Sequence, residues 1–272
     1  MTALTFDAAT SIEPKGETTY SVNLRPEYAI GGNKPNGGYL LACLGRAALA
    51  AAQEAGSTHR HVIAAGAQYA SSPDLGPAVI ETRLVRSGRT ATQVMASISN
   101  DGGPGVQARF TLATLPEASE PYWGGVVPAV IPSPDDCEPP LFTQARGTTI
   151  RFDPATTFTR TPDGLAVTGE GEFRAWLVDE DRDRVDTVTL LYAADCLPPA
   201  TAGVVFGGWV PTLDMTVYIR ALARPGPIRL RIRAQMIQDG FADEVCEAWD
   251  SAGRLVMQST QLVALRIPSS AR

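Results

Sequence analysis

The sequence predicts an α+β chain in which one plan, a buried helix followed by long antiparallel strands, is built twice. Three observations carry this. Two Ala- and Leu-rich apolar stretches, Tyr39 to Ala55 and about Arg184 to Cys196, stand among strand-like segments. Each is followed by strand-like runs separated by turns rich in Gly, Pro and Asp. The halves superpose with an offset of 150 residues, which sets Leu40-Leu41 on Leu190-Leu191 and Gly76-Pro77 on Gly226-Pro227.

Taken in order, Thr18 to Leu24 alternates like a strand, and Ala29 to Gly38 is too densely punctuated by Gly and Pro to be regular. Tyr39 to Ala55 is apolar on most of its circumference, so the helix is expected to be buried on most sides, and Gly56-Ser57 ends it. Strands follow near His61–Ser71, Ala78–Arg86, Thr90–Asn100 and Val106–Leu115. A Pro-rich, acidic stretch without a period then reads as a surface linker. The second half repeats the plan, with strands near Thr148–Phe152 and Leu165–Glu172 and a helix stopped by Pro198-Pro199. Strands near Thr212–Ala223, Ile228–Gln238, Ala242–Asp250 and Leu255–Arg266 complete it. The expected division is residues 1–115, a linker at 116–146, and residues 147–272. A unit of this kind wants its twin beside it, so that edge strands pair.

Hydrophobic residues make up 44% of the 272 and charged residues 19%, which is ample for a core. The net charge of −6 argues against a nucleic-acid partner, and the one basic stretch, Arg220 to Arg233, alternates like a strand face. No basic segment leads into an apolar run at the N-terminus, and the most apolar stretch, Tyr39 to Ala52, is too short to span a bilayer. Cys43, Cys137, Cys196 and Cys246 are spaced for neither a disulfide framework nor a zinc site. His59 and His61 lie in a polar turn. The expectation is a cytoplasmic protein without metal or cofactor and without membrane insertion.

If the halves are duplicates, the informative residues are those at which only one half breaks its own structural logic. Asp195 falls in the last turn of an apolar helix, where its charge meets the negative dipole end, and its counterpart is Gly45. A solvated Asp beside the Pro-Pro stop is the plainer reading. Thr212 stands opposite Val62 and is expected to share a strand face with Asp214, although threonine is at home in any strand. Gln261 lies in the last strand, where the first half has the apolar or small stretch Phe110-Thr-Leu-Ala113.

The stretches Leu191-Tyr-Ala-Ala-Asp195, Pro211-Thr-Leu-Asp-Met-Thr-Val-Tyr-Ile-Arg220 and Ala252-Gly-Arg-Leu-Val-Met-Gln-Ser-Thr-Gln261 resemble the type II bacterial acyl-CoA thioesterase family. Asn36-Gly-Gly-Tyr-Leu-Leu-Ala42 and Leu84-Val-Arg-Ser-Gly-Arg89 extend the resemblance into the first half, so that it spans nearly the whole chain. It implies a double hotdog: two antiparallel sheets, each wrapped around a central helix and joined side by side. It also implies that Asp195, Thr212 and Gln261 hold a hydrolytic water. The chain departs from the family at Met215 to Arg220, where the family has aromatic and His residues.

Thioester hydrolysis needs a nucleophile, a base and donors for an oxyanion. The chain has no Gly-x-Ser-x-Gly elbow and no convincing Ser-His-Asp set, so water activated by Asp195 fits better. Gly37, Gly38 and Tyr39 are expected to offer free N–H groups at the positive end of the first helix to the carbonyl of an acyl-CoA, although the two glycines equally make a tight helix entry. One site between the halves follows. Two rivals stand beside this reading: a non-catalytic acyl-CoA or lipid binder, and an enoyl-CoA hydratase, which wants an Asp/His pair. Association into a homo-oligomer through remaining sheet surfaces is also compatible with such a unit.

Overall fold

The computed structural model describes residues 4–30, 34–100, 103–140, 148–161, 164–166, 168–179, 183–205 and 208–267. The first half contains α1 (Phe6–Ala9), β1 (Ile12–Pro14), β2 (Thr19–Leu24), β3 (Ala29–Ile30), β4 (Lys34–Pro35), α2 (Gly37–Glu54), β5 (His61–Tyr69), β6 (Gly76–Ser87), β7 (Thr92–Ser99) and β8 (Val106–Ala113). The second contains β9 (Thr149–Phe152), β10 (Thr159–Thr161), β11 (Gly164–Ala166), β12 (Glu172–Val178), α3 (Thr187–Ala193), β13 (Thr212–Ile219), β14 (Ile228–Gln238), β15 (Phe241–Trp249) and β16 (Leu255–Ala264).

The expectation of two sheets is corrected: twelve strands form one sheet, in the order β1-β2-β6-β7-β8-β5-β13-β16-β15-β14-β12-β9. Read outward from the β5–β13 junction, the order is the same on both sides, so the halves are related by a pseudo-two-fold. At that junction Gly66 pairs with Thr216 and Ala65 with Val217, antiparallel. Left apart, β5 and β13 would each expose an unpaired edge, and pairing satisfies both.

Each main helix starts at a side-chain cap. Asn36 accepts from the Tyr39 N–H at α2, and Asp186 accepts from the Thr189 N–H at α3, 150 positions later. The cap at Asp186 starts α3 later than the expected Arg184, and the helix stops at Ala193, before Asp195. α2 is buried from Gly38 to Ala48 except at Arg46, and both helices share one apolar core. The expected strand at Leu165–Glu172 is broken. Gly169 and Gly171 take positive φ, and the sheet strand begins only at Glu172, with Phe173, Ala175 and Leu177 buried. His61 opens β5, and His59 is buried against Thr92 rather than lying in a polar turn.

Residues 116–140 are tied onto the second half. Pro132 O accepts from Trp176 Nε1 at 2.8 Å, and Ser119 O accepts from Arg254 at 2.7 Å. On the outer face of β14, Arg231 pairs with Glu247 and lies over the Trp249 ring, so part of the basic stretch is neutralised locally. Among the described residues, no helix is long and apolar enough to cross a membrane.

Candidate active site

Asp195 follows α3 in a turn, and its chain position says little about its surroundings. Its carboxylate lies against the N-terminus of α2, in the other half. Oδ2 accepts from the Gly38 N–H at 3.0 Å and from Asn36 Nδ2 at 3.3 Å, and Asn36 Nδ2 also donates to the Asp195 carbonyl at 2.8 Å. The dipole argument is thereby reversed: the charge meets the positive end of a helix 157 residues away in sequence. Burial pushes the Asp195 carboxyl up to about 7; Glu244 adds to the rise, while the Gly38, Gly37 and Asn36 donors oppose it. Such a carboxyl is half ionised near neutral pH, as suits a general base.

Glycine is required at this contact. A Cβ on Gly37 would lie 2.8 Å from Asp195 Oδ2, and one on Gly38 would lie 2.7 Å from the Tyr192 carbonyl. The expectation of free N–H donors is corrected. Gly38 is bonded to Asp195, Gly37 also donates toward that carboxylate, and the Tyr39 N–H is bonded to the Asn36 cap. Helix-terminal donors find acceptors when they are buried, and here the other half brings one. The Tyr39 ring stacks on Tyr28 at 4.6 Å, and its hydroxyl donates to Ala9 O at 2.7 Å. Tyr192 meets Tyr28 and Phe6 edge-on or tilted, so an aromatic cluster fixes both helix ends that form the contact.

Thr212 and Gln261 come together on β13 and β16. Thr212 Oγ1 donates to Gln261 Oε1 at 3.2 Å, and Gln261 Nε2 donates to Glu244 Oε2 at 2.7 Å. Glu244, on β15, accepts on Oε1 from the Thr201 N–H at 2.9 Å. The expectation that Thr212 shares a face with Asp214 is corrected. The β13–β16 register slips between them, so Thr212 pairs with buried Val263 and Asp214 with exposed Leu262. One extra residue, Leu213, turns the pleat over.

The end of α3 rests on β15 and β16. Ser259, two positions before Gln261, has Oγ 3.4 Å from Ala194 O, and Cys246, two positions after Glu244, has Sγ 3.8 Å from Ala193 O. Asp195 and the Thr212–Gln261–Glu244 chain therefore border one region. Among the described residues no hydrogen bond joins Asp195 to Thr212 or Gln261. Tyr69 closes the side facing β5, with its hydroxyl donating to Gly37 O at 3.0 Å.

Asn36, Tyr69 and Glu244 were not singled out as site residues from the sequence. Only Glu244 carried a readable signal, a carboxylate in an alternating run whose other inward members are Ala242, Cys246 and Ala248.

The first half has the same scaffold without the chemistry. Cross-strand register matches Thr212 with Val62, Gln261 with Phe110 and Glu244 with Val94. Around Gly45, the counterpart of Asp195, an added Cβ would meet Leu191 Cδ1 at 2.6 Å, Phe110 at 3.7 Å and Val62 at 3.9 Å. The second site position is packed solid with apolar side chains.

The comparisons with known proteins bear on the family and the fold. A family model described as the acyl-CoA thioesterase N-terminal domain matches residues 24–113, and one described as the C-terminal domain matches residues 116–265. An uncharacterized protein of Mycobacterium tuberculosis is 25% identical over 271 residues, covering 85% of this chain and 86% of its own. The crystal structure of a candidate thioesterase II from Thermobifida fusca superposes with a TM-score of 0.83 at 31% identity, covering 98% of this chain and 99% of that one. A hot dog fold protein from Alicyclobacillus acidocaldarius superposes at 0.78 with 22% identity, covering 97% and 98% of the two chains, and supports the fold alone. With both halves matched by the two family models, the chain belongs to the acyl-CoA thioesterase family and is a thioester hydrolase.

Proposed function

We propose that the chain hydrolyses a fatty acyl-CoA to the free acid and CoA, with Asp195 activating the attacking water. The observation that carries this is the placement of Asp195, a carboxylate held at a helix N-terminus, at the end of an α3 that rests on the strands bearing Gln261 and Glu244. Asp195 takes a proton from the water as the water attacks the thioester carbon, and Thr212 and Gln261 orient that water. The positive end of α2 is the proposed oxyanion site. As Asp195 turns to the water, the Gly37 and Gly38 N–H groups pass to the carbonyl oxygen, and the missing Cβ atoms leave room for it. Tyr39 supports this end through its ring and through the capped N–H rather than through a free donor.

The test is thiol release from a panel of acyl-CoAs by the purified chain. Asp195→Asn is expected to reduce release to background while the cooperative unfolding transition is kept. Retained hydrolysis in that variant would sink the role of Asp195. Tight acyl-CoA binding with no thiol release by the wild-type chain would favour the binding protein instead.

A further inference from the structure

Beneath Gln261 lies a second buried carboxylate. Glu244 is 1% exposed and accepts from Gln261 Nε2 at 2.7 Å, from the Thr201 N–H at 2.9 Å and from the Ala200 N–H. An ionised carboxylate only accepts hydrogen bonds. Gln261 must therefore turn its NH2 group down to Glu244 and its carbonyl oxygen up to Thr212. A carbonyl oxygen also only accepts, so the Thr212 hydroxyl spends its one proton on Gln261. What Thr212 Oγ1 has left is lone pairs.

We propose that Glu244 is a positioning residue: as the acceptor-only end of the chain Thr212→Gln261→Glu244, it fixes the direction of both bonds and makes Thr212 an acceptor toward the attacking water. The inference rests on the hydrolytic reading above and deepens it. One water hydrogen is held by Thr212 Oγ1, and the other is transferred to the Asp195 carboxylate as the water oxygen bonds to the thioester carbon. The carbonyl π pair moves onto the oxyanion. When the carbonyl re-forms, the C–S bond breaks, and the departing thiolate takes the proton from Asp195. A donating Thr212 would instead tie up a lone pair on the water oxygen.

The groups facing Asp195 are Tyr69 from β5, Tyr192 and Cys196 at α3, and Cys246 and Glu244 from β15; the exposed Asp214 of β13 acts on Tyr69. Burial holds the two phenols and two thiols above their usual range, so they stay neutral near pH 7. Glu244 pushes the Asp195 carboxyl further up, and burial raises the carboxyl of Glu244 itself, against the Thr201, Gln261 and Ala200 donors that favour its ionised form.

The experiment is steady-state acyl-CoA hydrolysis by Glu244→Gln, Gln261→Ala and the double variant, each with a pH profile. Glu244→Gln is expected to lower kcat by about 10- to 100-fold with little change in KM. It is also expected to move the acid limb of the profile to lower pH, a response that loosened packing alone would not produce. At pH above the acid limb, adding Glu244→Gln to Gln261→Ala should cost no further kcat, because there Glu244 acts through Gln261. Unchanged kcat in Glu244→Gln, or additive losses in the double variant, overturns the proposal while leaving the hydrolase reading intact. Absence of hydrolysis by the wild-type chain overturns both. Should Glu244→Gln fail to fold, Glu244→Asp keeps the charge but shortens the reach; it should fall to the kcat of Gln261→Ala, and wild-type kcat there overturns the proposal.

Discussion

A carboxylate pushed from 3.8 to about 7 ties activity and stability to pH in opposite directions. As a base Asp195 must be ionised, so kcat/KM is expected to fall below pH 7 along a single-proton limb, read from initial rates between pH 5 and 9. For stability the sign is reversed. The folded state holds the Asp195 proton more tightly than the unfolded state does, so its contribution is fully present below pH about 4 and is lost as pH rises through about 7. The ceiling on that loss is about 4 kcal/mol, and the partial exposure of Asp195 reduces it. Asp195→Asn, which cannot ionise, is therefore expected to melt above the wild-type chain at pH 8 and not at pH 4. The sequence singled out Asp195, Thr212 and Gln261 because their first-half counterparts are small or apolar, and only the family resemblance grouped them as a water-holding set. It misjudged the electrostatics of Asp195, since the helix end that matters belongs to residues 157 positions earlier.

The side-chain caps at Asn36 and Asp186 start the helices at Gly37 and Thr187 rather than at the expected Tyr39 and about Arg184, but turns that act over a few residues were legible: those at Gly76 and Gly226 have φ of 104° and 114°. What depends on pairing was not. The bulge at Leu213, which turns Thr212 inward, has no local signature, and the same slip recurs between Val62 and Ala64 in β5. The two helices also depend on glycines in unequal ways. At Gly38 a methyl group would strike the Tyr192 carbonyl, which is backbone, whereas at Gly45 it would strike only the tip of Leu191. Gly38→Ala is thus expected to destabilise by about 1–3 kcal/mol and to separate Asp195 from its donor. Gly45→Ala should be close to neutral, because a helix-propensity gain of roughly 1 kcal/mol offsets the shift of Leu191. Denaturant melts of the two variants check the contrast.

At the scale of the molecule, the duplication and the pairing of the halves edge to edge were readable from order and spacing, but which edges meet was not, because nothing in either half states it. The site follows from that junction: α2 of one half and the end of α3, with β13, β15 and β16, of the other close around one carboxylate. The strand order has a further consequence for the chain between the halves. β8 ends beside the centre of the sheet, and β9 lies at the far edge, seven strand spacings away. Across a flat sheet that is about 34 Å, a distance that about 10 extended residues just reach. A tether trimmed to a few residues falls well short of that; it gives up the Ser119, Pro132 and Glu138 contacts with the second half but leaves the twelve-stranded pairing intact. Such a variant is expected to trade halves with a second copy and elute as an active dimer whose sites are each assembled from two chains, as light scattering on the eluting peak would show. The length of this Pro-rich strap thus sets whether a site is built from one chain or from two.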